Sequence, residues 1–80
     1  MTTSDNRTVR RRVLDTLYRE RKVRPLGHGL FIGELETLFG APLDFDVQYL
    51  VEKGLVSWSA GYLKLTAAGI DAVEEENYGR

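Results

Sequence analysis

The feature that most constrains this chain is the run from Leu43 to Val73, LDFDVQYLVEKGLVSWSAGYLKLTAAGIDAV. Val47 and Leu50 stand three apart, with Leu43 one turn earlier, so the segment before Gly54 carries the apolar stripe of a short helix. Gly54 sits where such a helix needs a residue free to take a positive φ. Leu55-Val56-Ser57-Trp58 and Tyr62-Leu63-Lys64-Leu65 are strand-like runs around Ala60-Gly61, the pattern of a tight β-hairpin. Thr66 then stands at the cap position of a further helix, in which Ile70 and Val73 face inward and Ala67, Ala68 and Ala72 favour the helical backbone. Gly69 weakens that helix intrinsically, which predicts a close approach by a neighbouring element. Glu74, Glu75 and Glu76 oppose the helix dipole and predict fraying from about Glu75.

The first half supplies the remaining helices. Met1 to Asn6 is small, polar and patternless and is expected to be a tail, after which Asn6 or Thr8 caps a first helix. Val9, Val13, Leu14, Leu17 and Tyr18 make one face of that helix, and Pro25 stops it. Residues 23–30 form a connector, Leu30-Phe31 a short strand, and Ile32–Phe39 a second helix with Ile32, Leu35, Leu38 and Phe39 on its apolar face. Gly40 ends it, and Ala41-Pro42 turns the chain into the third helix. Leu14, Leu17, Leu35, Leu50, Leu55, Leu65 and Ile70 are expected to be buried in one cluster. Trp58 alternates with Val56 and opposes Leu63 and Leu65, which places it in the core or, alternatively, in a dimer contact.

This order of elements, with YLVEKGLV followed by LKLTAAGIDAVE, resembles the winged helix-turn-helix domains of bacterial and archaeal transcriptional regulators. The resemblance extends over residues 7–77 as an order of elements, leaving residues 1–6 and 78–80 as tails, and its specific wording lies in residues 47–74. It implies an α+β, mainly α fold: a three-helix core, a β-hairpin wing and a C-terminal helix. It also implies a DNA-binding regulator whose third helix enters the major groove while the hairpin tip meets phosphate.

Composition sets limits on function. Eighty residues make one domain, 42% hydrophobic and 29% charged, as in an ordinary globular protein. With no cysteine and the single His28 between two glycines, the residue types for a disulfide framework or a metal cage are missing. His28 reads as a turn residue, GHG lacks the context of a phosphate loop, and no catalytic constellation emerges; neither an enzyme nor a cofactor is expected. Apolar runs are too short for a membrane span or signal-peptide core, so a cytoplasmic location is expected. The net charge of −1 conceals a division: residues 1–24 hold eight basic and three acidic groups, residues 25–80 three basic and nine acidic.

Two functions stay open on these residues. A DNA-binding regulator would use Arg7, Arg10, Arg11 and Arg12 on the first helix, Gln48 on the third, and Lys53 and Lys64 near the hairpin. Gln48 suits adenine recognition, but Asp44, Asp46 and Glu52 would face phosphate, and the hairpin tip has no cation. At about 100° per residue, Phe45, Tyr49 and Glu52 point outward with Gln48 and Asp46 on the flanks. A protein-interaction module would use this same face, with Phe45 stacked on Tyr49 and rimmed by Asp46 and Glu52. Its partner would be another protein or a second copy, in which the basic first segment of one chain meets the acidic third helix of the other.

Overall fold

The computed structural model describes residues 6–78, so the expected tails at residues 1–5 and 79–80 lie outside the described residues. The chain runs through α1 (Asn6–Val23), β1 (Leu30–Phe31), α2 (Ile32–Phe39), α3 (Asp44–Glu52), β2 (Val56–Ser59), β3 (Tyr62–Leu65) and α4 (Ala67–Tyr78). The result is α+β and mainly helical, in an order compatible with a winged-helix layout. Asn6 and Thr8 lie inside α1, and Tyr78 inside α4. Among the described residues, no helix is long and apolar enough to cross a membrane.

α1 is the helix on which the others assemble. Its stripe buries Val13 and Leu17 completely, and the helix packs against α3, β3 and α4. α3 contributes Leu43, Val47 and Leu50 to this core, the hairpin contributes Val56, Leu63 and Leu65, and Leu35 and Val73 close it. Three residues expected inside, Leu14, Leu55 and Ile70, are only half-buried at its margin.

The sheet has the order β1-β3-β2, all antiparallel, with Leu30 opposite Leu63 and Val56 opposite Leu65. Its two-residue turn takes Ala60 to φ 52° and Gly61 to φ 83°, the left-handed pair that matches the twist of the strands. Val56 at the base of the hairpin is buried, but Trp58, two residues nearer the turn, is 37% exposed. Its cross-strand partner Leu63 on the central strand β3 is fully buried, whereas Trp58 stands on the edge strand β2, so facing the inner side does not bury it. Leu38 is also exposed. Ile32 and Phe39 lie about 50° to one side of Leu35 around α2 and Leu38 about 60° to the other, so packing on the first pair turns Leu38 outward.

Two small residues join the third helix to the fourth. The Thr66 hydroxyl accepts from the Gly69 amide at 3.0 Å and donates to the Gly54 carbonyl at 2.7 Å, capping α4 and holding the end of the α3 turn. At Gly69 an added Cβ would lie 2.2 Å from the Leu55 carbonyl oxygen, the close approach its position predicts. The Tyr18 hydroxyl donates to Glu74 Oε2 at 2.8 Å and Val73 is buried, so α4 is anchored to the core as far as Glu74.

Candidate interaction face on the third helix

α3 begins where Gly40, in the left-handed conformation at φ 73°, ends α2. The first residue before the helix, Leu43, has no side chain able to cap it. The Glu36 carboxylate reaches across instead and accepts the Leu43 amide at 2.9 Å. An acid at this position also suits the positive pole of the helix. With Leu43, Val47 and Leu50 buried, the exposed side of α3 consists of Asp44, Phe45, Gln48, Tyr49 and Glu52, followed by Lys53.

Asp46 does not lie on that side. It is 7% exposed, the one charged residue in the core of the described chain. The spacing explains this: Asp46 stands three residues after Leu43 and four before Leu50, on the buried stripe itself. A carboxylate there needs a partner. Arg10 supplies it, with Nε 3.1 Å from Oδ1 across the α1–α3 interface. The same guanidinium lies over the Tyr49 ring, 3.7 Å from its centroid, and the Lys53 ammonium sits 5.9 Å from that ring. Tyr49 therefore receives Arg10 in place of the expected stack with Phe45. Phe45 stands clear at 69% exposure.

The remaining site residues divide between two regions. Arg12 lays its guanidinium 4.5 Å from the centre of the Phe39 ring, linking α1 to α2. Arg7 and Arg11 are exposed on α1. Gln48, the side chain best suited to read a base, directs its amide toward Glu52 Oε2 at 3.4 Å. Lys64 is brought to none of these. It stands opposite Ser57 on the hairpin, away from the α1–α3 cluster.

Basic first helix and acidic third helix thus meet within one chain. Sequence reasoning misses the Arg10–Asp46 pair and the Glu36 cap, although Asp46 at the i+3 position of the i, i+3, i+4, i+7 series from Leu43 is the available signal. No family model matches this chain, and no curated protein or solved structure matches it.

Proposed function

We propose that the chain is a protein-interaction module on a winged helix-turn-helix scaffold, docking through the outward face of α3. The observation that carries this reading is Phe45, 69% exposed on a helix face that carries the acids Asp44 and Glu52, with Lys53 just past its end. An exposed aromatic rimmed by carboxylates fits an apolar pocket with a basic edge on a protein. It does not fit a phosphate backbone, where each acid repels. The two groups nearest to a base-reading role are engaged elsewhere, Gln48 with Glu52 and Arg10 with Asp46 and Tyr49.

The reading as a DNA-binding transcriptional regulator keeps one supporting observation, the exposed Arg7, Arg11 and Arg12 on α1. These residues would give backbone contact without sequence recognition. A photocrosslinking phenylalanine analogue at position 45, introduced into the full chain in its own cells, separates the readings. A discrete protein adduct is the expected result, and an adduct with the chain itself would identify a second copy as the partner. A nucleic-acid adduct, or none, overturns the proposal.

A further inference from the structure

The geometry points to a second binding surface, independent of α3: a trough on the outer face of the sheet that takes a proline-rich peptide in the polyproline II conformation. Strand alternation turns Leu63 into the core, while its neighbours Tyr62 and Lys64 face out beside Ser59 and Ser57. These four side chains floor a trough of ≈ 510 Å³, walled by Leu26 and His28 of the α1–β1 connector. That volume lies in the range of ligand clefts.

The central ring of the trough is held in place, and a turn sets its rim. The Gly27 amide donates to the Arg24 carbonyl at 3.0 Å, and this turn holds Leu26 out with 96% exposure. Tyr62 is braced on both sides, by His28 with centroids 6.1 Å apart and by Phe31 edge-on at 5.4 Å. Phe31 is fitted against two glycines; an added Cβ would come within 2.6 Å of its ring at Gly61 and 2.9 Å at Gly33. Rings held this way lose little freedom when a ligand covers them.

Its polar chemistry selects the ligand. The Ser57 hydroxyl donates to the Lys64 carbonyl at 3.4 Å, while the Ser59 and Tyr62 hydroxyls, the imidazole of His28 and the ammonium of Lys64 can donate to a ligand, and no carboxylate lines the trough. A polyproline II strand offers the complement, since proline has a carbonyl but no N–H and this helix leaves its carbonyls unpaired. Its pyrrolidine rings pack on aromatic faces, here Tyr62 and His28, with Leu26 closing the apolar side. Charge argues for a neutral strand over a nucleic acid. Lys64 is the one cation in the lining, and residues 25–80 hold three basic against nine acidic groups, so a run of phosphates would find little to neutralise it.

Amide NMR titration of the full chain with decaproline, and separately with a ten-residue oligothymidylate, tests this. Decaproline should shift the Gly27, His28, Ser59 and Tyr62 amides saturably and leave α3 unmoved. Tyr62→Ala should weaken binding about tenfold through loss of the central ring. Leu26→Ser should weaken it too, and the exposure of Leu26 removes any folding cost from that comparison. No saturable shift at millimolar decaproline overturns the proposal. So does binding unaffected by both substitutions, or tighter binding of the oligothymidylate in the same trough.

Discussion

Replacing Arg10 and Asp46 singly and together probes the contact that sets α3 on α1. Two unit charges at the observed 3.1 Å attract by about 5 kcal/mol at an effective dielectric of about 20. The side chains are 21% and 10% exposed, so both are largely desolvated, and that cost offsets much of the attraction. A net coupling of about 1–3 kcal/mol is expected, between the values of exposed and fully buried pairs. The single substitutions should be unequal. Arg10→Ala strands a carboxylate that is 7% exposed and also uncovers the Tyr49 ring, costing about 3–4 kcal/mol. Asp46→Ala leaves a long arginine able to turn toward water, costing about 1–2 kcal/mol. Arg10→Lys should not restore the pair, because an ammonium cannot lie flat on Tyr49 while donating to Asp46. Urea denaturation followed by circular dichroism measures the wild type and all four variants. Additivity of the two losses within about 0.5 kcal/mol, or a larger loss for Asp46→Ala, would refute the reasoning.

Substitutions at three further positions test the frame that presents α3. Gly69→Ala should destabilise by about 2 kcal/mol or more despite the better helix propensity of alanine, because its Cβ meets the Leu55 carbonyl; a raised melting temperature would contradict the packing. Thr66→Ala should cost about 1–2 kcal/mol by urea denaturation, with Thr66→Ser recovering most of it, since the hydroxyl serves both α4 and Gly54. Glu36→Ala should cost about 1 kcal/mol in the same assay by uncapping α3, and an unchanged midpoint would remove that role.

Local chemistry in the sequence carries over well to the structure, and contacts across the fold do not. Gly40 and Gly54 take the positive φ that helix ends favour, and Ala60-Gly61 turns the hairpin where two strand-like runs meet. α2 spans Ile32–Phe39 as its apolar spacing and following glycine indicate. Each of these features depends on residues within a few positions of one another. Asp46 depends on Arg10, 36 residues away, so the outward phasing that puts it on the flank does not anticipate its burial beside Leu43, Val47 and Leu50. The exposure of Trp58 reflects its place on the edge strand of the sheet, which alternation along a strand does not encode. The anchoring of α4 at Glu74 has a similar origin, since the Tyr18 hydroxyl that donates to it lies 56 residues away on α1.

Titration of the chain with generic duplex DNA at 50 and 200 mM salt tests the central claim, that the α3 face is not a reader of DNA. The expected result is at most weak binding that disappears across this range, as for a few exposed arginines, and no difference between wild type and Gln48→Ala. Tight binding at the higher salt, reduced or made less sequence-selective by Gln48→Ala, would contradict it.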